Sequence, residues 1–340
     1  MQRRTLMTVF LLCIALLLIP ALSAQAADEA KKYKLKIATL APEGSSWMKR
    51  FHEVSRAIEK RSDGRLKLRI YAGGIMGDEP DVIRKVRIRQ LHGAAVTGIG
   101  LGMIQPAVRV LDLPFLFKTY EELDFIRETL NSEFEKKFEE RGYVLLGWVD
   151  VGWIHVFSNQ PVTTKDELLS TKLWAWVDDP LAHSMFKEVG VKGIPLSLPA
   201  VLPHLQTGFI NAAYGSPLST LALQWYTKVK YMSDLPITMA NAAVVVSKDF
   251  FDALPKDLQV ILKEEGKKME RTLVGQMRRD NVESLRVLKK YGIKVTKTQP
   301  EFMQEMERAA HAVWTQLAGT LYPPELLVQV QELLEARRTS

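Results

Sequence analysis

The side chains most able to do chemistry are arranged here in ways that exclude the common chemistries. The chain has six histidines, His52, His92, His155, His183, His204 and His311, and no two are spaced with an acidic partner as zinc ligands would be. Gly98, Gly100 and Gly102 follow a small-residue strand, but Met103 stands where a dinucleotide loop needs its next glycine. Pro106 then interrupts the long helix such a loop requires. Ser216, in Tyr214-Gly215-Ser216-Pro217, precedes a proline that does not suit a strand-to-helix nucleophile turn, and no G-x-S-x-G elbow exists. Asp178 and Asp179 are adjacent carboxylates, but sequence neighbours point apart, and Asp before Pro180 reads as a helix start. No catalytic residue, cofactor or metal site is expected, and the chain reads as a non-enzyme.

The middle third offers large aromatic rings instead: Trp148, Trp153, Trp174, Trp176, Tyr214, Trp225 and Tyr226. Trp174 and Trp176 alternate on one strand-like segment, so both face the same side. Two indoles on one face suit the wall of a cleft that takes an apolar group.

Such a cleft needs elements to hold it, and the chain alternates short strand-like runs with amphipathic helices, an α/β pattern. Residues 35–40 read as a first strand. The loop 41–46 with a serine cap leads into a helix marked by Trp47, Phe51, Val54, Ala57 and Ile58. Residues 66–71 and 94–97 read as further strands. Two long apolar runs, 143–157 and 236–247, are long enough to cross from one sheet to another and form a two-strand hinge. After Ser247 the pattern is helical, with Leu258, Ile261, Leu262, Met269 and Leu273 on one face, and Tyr322-Pro323-Pro324 separates the last two helices.

The ends bound the compartment. Arg3 and Arg4 precede an uncharged apolar run over residues 6–19, then Pro20 and Ala24-Gln25-Ala26, which predicts a secretory signal peptide cleaved after Ala26. The run is shorter than the roughly 20 residues that span a bilayer, and no later stretch is apolar enough to do so. Cys13 is the only cysteine, and Leu12 before it argues against a lipid anchor. The mature chain of 340 − 26 = 314 residues thus has no thiol for disulfide, metal or nucleophile. The formal charge of +7 becomes 7 − 2 = +5 without Arg3 and Arg4. Arg84, Lys85, Arg87 and Arg89 interleave with Val82, Ile83, Val86 and Ile88, as on a solvated helix face, so no nucleic-acid partner is expected.

Several segments carry a resemblance. Ala41-Pro42-Glu43-Gly44-Ser45-Ser46-Trp47, Gly77-Asp78-Glu79, Leu113-Pro114-Phe115-Leu116-Phe117, Leu205-Gln206-Thr207-Gly208 before Ile210-Asn211, Ser247-Lys248 before Phe250, and Leu254-Pro255 before Gln259 occur in this order. In that order and spacing the chain resembles the DctP-type substrate-binding subunits of TRAP (tripartite ATP-independent periplasmic) transporters. The resemblance implies a two-lobed, type II-like periplasmic-binding-protein fold: two mixed sheets flanked by helices, hinge strands crossing between lobes, and a long C-terminal bracing helix. The expected organisation is a signal peptide over 1–26, lobe I over 33–150 plus 241–278, lobe II over 151–240 plus 279–299, and C-terminal helices 300–340 bracing the lobes. It also implies periplasmic capture of a small organic ligand and delivery to DctQ/DctM-like permease subunits driven by an ion gradient, without stable membrane insertion of the mature chain.

The resemblance breaks where the family holds its substrate. Its Lys-Ile-Arg-like strand reads Lys172-Leu173-Trp174, so tryptophan replaces the carboxylate-pairing arginine. A second family arginine aligns with Ile154 in Val151-Gly152-Trp153-Ile154, and the oxygen-rich segment after Leu-Gln-x-Gly reads Asn211-Ala212-Ala213-Tyr214. Losing a buried guanidinium forfeits on the order of 2–5 kcal/mol of carboxylate binding, whereas burying an aromatic or branched apolar group returns roughly 1.5–3 kcal/mol. The expected ligand is apolar, aromatic or weakly acidic. Its walls are Trp148, Trp153, Trp174, Trp176 and Tyr214, with Glu43, Asp150 and Asn211 as polar candidates. A conventional small carboxylate held by Lys172, another cation or backbone donors stays open, as do an extracytoplasmic sensor or lipid-trafficking protein on the same fold and an exported hydrolase.

Overall fold

Alternating strand and helix patterns become ordered elements throughout residues 31–339, which the computed structural model describes. The signal segment expected over residues 1–26 lies outside the described residues. Strand β1 (Tyr33–Thr39) leads through the Ser45 cap, which accepts from Met48 N at 3.3 Å, into α1 (Ser46–Arg61). Then come β2 (Leu66–Tyr71), α2 (Glu79–Arg87), β3 (Gly93–Thr97) and α3 (Gly98–Ile104). A 3₁₀ segment over Pro106–Asp112 precedes α4 (Tyr120–Glu140) and the long β4 (Tyr143–Ser158).

The second part begins with α5 (Lys165–Leu169), β5 (Trp174–Trp176), α6 (Pro180–Val189), β6 (Ile194–Leu196) and α7 (Val201–Thr207). It continues with β7 (Ala212–Gly215), α8 (Pro217–Ala222), β8 (Tyr231–Ser233) and the returning β9 (Thr238–Ser247). Helices α9 (Lys248–Asp252) and α10 (Lys256–Lys290), strand β10 (Lys294–Thr296), α11 (Pro300–Leu317) and α12 (Pro324–Thr339) complete the described chain.

The two long apolar runs do pair: β4 and β9 lie antiparallel from Tyr143 opposite Ser247 to Ile154 opposite Thr238. They belong to both lobes. On one side the sheet continues β9–β3–β1–β2, and on the other the far half of β4 pairs β7 and β8, with β10 beyond β8. Strands β5 and β6 form a separate parallel pair, tied to β7 through a bridge between Leu173 and Ala212.

The pairing slips twice along β4, between Leu145 and Gly147 and between Asp150 and Gly152. Such irregularities bend a strand. At the second, Gly152 has φ +116° and a Cβ would sit 2.6 Å from Asn281, so only glycine suits the crossover.

The apolar faces close three packed regions. Leu35, Phe51, Val244, Leu262 and Met269 fill the space between the sheet, α1 and α10. Phe134, Phe138, Leu145 and Val245 pack the opposite face under α4, and Phe157, Trp174, Trp225 and Ile210 fill the second lobe. The 35-residue α10 is the brace: it packs on α1 and β4 in the first lobe and on α8 in the second.

Candidate functional site

Between the lobes lies a cavity of about 200 Å³, walled mainly by carbon. Trp174, Trp176, Tyr214 and Trp225 line it from the second lobe, Ile154 and Val156 from β4, Met185, Phe186 and Val189 from α6, and Ile99 from α3. Trp174 is buried, and its position is fixed on three sides. Its ring stacks on Tyr214 at 4.7 Å and 18°, meets Trp225 edge-on at 5.5 Å, and donates from Nε1 to Leu196 O at 2.9 Å. The Tyr214 hydroxyl accepts from Trp176 N at 3.2 Å, which holds the phenol against β5. Ile154, Trp174 and Tyr214, far apart in sequence, therefore line one cavity.

One polar corner interrupts this surface. Arg109, from the 3₁₀ segment, is buried between two carboxylates: Nη2 donates to Asp179 Oδ1 at 2.8 Å, and Nε lies 3.3 Å from Asp112 Oδ2. Asp112 is held in turn by Asn241, whose backbone N and Nδ2 donate to Oδ1 at 3.0 and 3.1 Å. Burial raises the Asp112 carboxyl above its ordinary value despite Arg109 beside it. The corner depends on Gly98, because a Cβ there would fall 1.7 Å from Asp112 Oδ2. One guanidinium shared by two carboxylates presents no spare cation to an anionic ligand.

A second contact ties the lobes at the cleft mouth. Asp78 caps α2, accepting from Glu79 N at 2.8 Å, while its other oxygen accepts from Trp176 Nε1 at 2.9 Å and Leu198 N at 3.0 Å across the cleft. Its neighbour Glu79 is fully enclosed, accepting from Thr97 N and Gly100 N, each at 2.7 Å, and from Thr97 Oγ1 at 3.0 Å.

Burial pushes Glu79 from 4.5 up to about 7, against the pull of those donors. A carboxyl that binds its proton more tightly when folded contributes stability that is complete below its unfolded value and is lost as pH rises through its folded one. Glu79→Gln cannot titrate, so its Tm is expected to fall less than that of the parent between pH 4.5 and 7. Scanning calorimetry across that window checks this, and parallel profiles would refute the assignment.

The remaining candidates lie elsewhere. Trp148 is not a wall: it packs edge-on to Phe134 at 5.8 Å and donates to Asn131 Oδ1 at 3.0 Å, because its half of β4 is covered by α4. Trp153 packs against Tyr120 at 5.8 Å, outside the cavity. Asn211 accepts from Lys172 N at 2.7 Å and so fixes the start of β5. Glu43 is exposed and bonds His52 Nε2 at 2.8 Å. The Lys172 ammonium is exposed, 3.5 Å from Gly208 O, and takes no part in the wall.

Asp150 is wholly buried, accepting from Arg127 Nη2 at 2.6 Å and Arg278 Nε at 2.7 Å. It joins α4, α10 and β4 and does not face the first cavity. Sequence reasoning overlooked Arg109, Asp112 and Asp78 and left Trp225 out of the wall. The signal for the first two was a lone arginine with an aspartate three residues on, inside an apolar run over 107–116. Among the described residues, no group of three or more His, Cys, Asp or Glu is placed to hold a metal ion.

Comparison with known proteins gives a consistent picture. The family described as bacterial extracellular solute-binding protein, family 7 (DctP), matches residues 37–320. A solute-binding protein of Chromohalobacter salexigens is 26% identical over 216 residues, 63% of this chain and 64% of that protein. The C4-dicarboxylate-binding periplasmic protein DctP of Rhodobacter capsulatus is 23% identical over 77% of this chain and 78% of its own. The matches span 61–78% of the length of the curated relatives. The crystal structure of a sugar acid binding protein from Advenella mimigardefordensis, in complex with galactonate, superposes with a TM-score of 0.84 at 18% identity, covering 91% of this chain and 99% of that one.

Proposed function

This chain belongs to family 7 of the bacterial extracellular solute-binding proteins, and from that premise we propose that it is a periplasmic receptor for an apolar or aromatic ligand, or for a weak acid bound chiefly through its hydrophobic body. The observation that carries this reading is the wall formed by Ile154, Trp174, Tyr214 and Trp225 around the interlobe cavity. A sugar acid brings a carboxylate and several hydroxyls, each of which needs a partner once out of water. Ile154 and the ring faces of Trp174 and Tyr214 offer none, and burying one aromatic ring against them returns roughly 1.5–3 kcal/mol. The cavity exceeds the roughly 150 Å³ that holds benzene in an engineered core, so a bicyclic ring matches its size.

Closure around the ligand would follow from its preference for the closed form, which the Asp78 and Arg109 contacts across the cleft already favour. The captured ligand would then pass to DctQ/DctM-like permease subunits driven by an ion gradient, the mature receptor having lost its signal peptide after Ala26.

Arg109 supports a second reading. A small carboxylate could take the guanidinium from Asp179, provided that Asp179 and Asp112 shed charge or move. Native mass spectrometry of the purified mature protein, followed by calorimetric titration with indole, 2-naphthoate, succinate and galactonate, separates the two. Binding of the ring compounds with no heat from succinate or galactonate is expected. Tight succinate or galactonate binding with no affinity for either ring compound would overturn the apolar reading.

A further inference from the structure

The cleft continues past the aromatic wall into a second cavity of about 140 Å³. The two adjoin: Leu40, Thr97, Val151, Leu198, Ser219 and Leu223 border both. Their chemistry differs. Ser45, Ser46 and Ser216 border the second alone; Ser45 caps α1 and Ser216 pairs with Ser219 at the start of α8, which leaves Ser46 as the uncommitted hydroxyl. A serine hydroxyl offers one donor and two acceptor positions, and Ser46 Oγ is shielded from solvent without a hydrogen-bond partner in the protein.

Charge narrows the occupant further. No lysine, arginine or histidine lines the second cavity, so an anion would enter without a cation to meet it. A cation fares no better. Both Asp150 oxygens are taken by Arg127 and Arg278, and both Glu79 oxygens by Thr97 and Gly100. What remains is a compartment of hydroxyls and apolar side chains suited to neutral, hydrogen-bonding groups.

We propose that the two cavities form one binding site for an amphipathic ligand, whose hydrophobic body fills the first and whose uncharged, hydroxyl-bearing head fills the second. The proposal rests on the reading that the first cavity takes an apolar group.

The mature protein can be titrated with four probes: indole, which fits the first cavity alone, and octyl β-D-glucoside, octanoate and octylamine, which share one chain and differ in head charge. The glucoside is expected to bind at least tenfold more tightly than octanoate or octylamine. Ala222 borders only the second cavity and Ala182 only the first. Ala222→Phe should weaken the glucoside at least tenfold and leave indole within twofold, whereas Ala182→Phe should abolish both. Ala222→Leu is the milder substitute if the phenylalanine variant does not fold. If filling the second cavity leaves glucoside affinity unchanged, or if either charged probe binds as tightly as the glucoside, the two-part site is overturned while indole binding keeps the apolar reading intact. Failure of the parent protein to bind indole would remove that reading, and the two-part site with it.

Discussion

Replacing Asp150 with alanine is expected to lower the free energy of unfolding by about 3–5 kcal/mol, read by calorimetry as a fall in Tm on the order of 10 °C. The carboxylate is fully enclosed, and each of its oxygens holds a different guanidinium, Arg127 from α4 and Arg278 from α10. Removing it leaves Arg127 buried with only the partly exposed Asp124 at 3.2 Å. Arg278 keeps more, since Nη1 and Nη2 donate to Asp124 at 2.7 and 2.6 Å and the guanidinium lies 4.2 Å from the Tyr120 ring. The cost therefore falls chiefly on the junction of α4 with β4. Asp124→Ala is the comparison: its carboxylate also holds Arg278 through two bonds but is 44% exposed, so solvent replaces part of what is lost and a smaller fall is expected. Equal Tm values for the two variants would show that the buried junction does not carry the stability assigned to it.

Arg109→Leu is expected to have an effect of similar size through a different cause. It strands Asp112 and Asp179, both nearly inaccessible, in a wall of rings and aliphatic carbon. A buried charge that loses its partner costs about 3–5 kcal/mol. The Arg109–Asp179 contact also spans the cleft, so scattering should show a larger radius of gyration for the variant that remains folded. Replacing all three residues, Arg109→Leu with Asp112→Asn and Asp179→Ser, removes the stranded charges and keeps a cap for α6, where Asp179 Oδ1 accepts from Leu181 N at 3.1 Å. Recovery of most of the lost Tm in the triple variant is the expected result. A triple variant no more stable than Arg109→Leu alone would contradict the charge-stranding account.

What the sequence shows is what neighbours along the chain decide. Alternation placed Trp174 and Trp176 on one face, and both line the cavity. The length of the apolar runs marked β4 and β9 as strands that pass between lobes, because one run exceeds what a single half-sheet needs. Capping chemistry accounted for Asp179 before Pro180, correctly but incompletely, since the same carboxylate also holds Arg109 seventy residues away.

Long-range pairings of this kind leave no local pattern. Asp150 borders the second cavity, but nothing near it in sequence hints that its oxygens are taken by Arg127 and by Arg278, 128 residues later. Trp148 and Trp153 share aromatic character with Trp174, and only the packing of α4 and Tyr120 against β4 separates them from the wall. The same packing changes how Trp174 can be probed. With its ring stacked, edge-packed and hydrogen-bonded, Trp174→Ala would cost about 3–5 kcal/mol of folding as well as any affinity. Filling the cavity from Ala182 is therefore the cleaner test of binding.

The crossover of β4 and β9 has a consequence for speed. Because these strands pair antiparallel along the whole crossover, with two slips on β4, a swing of the lobes would flex a short paired ribbon. Motion of that kind is elastic and needs no local melting, so it belongs to the microsecond-to-millisecond range of domain movements. The barrier to releasing cargo would then be set by the few side-chain clasps across the gap, and a docking partner that pried open Asp78 or Arg109 could discharge the receptor without unfolding any part of it.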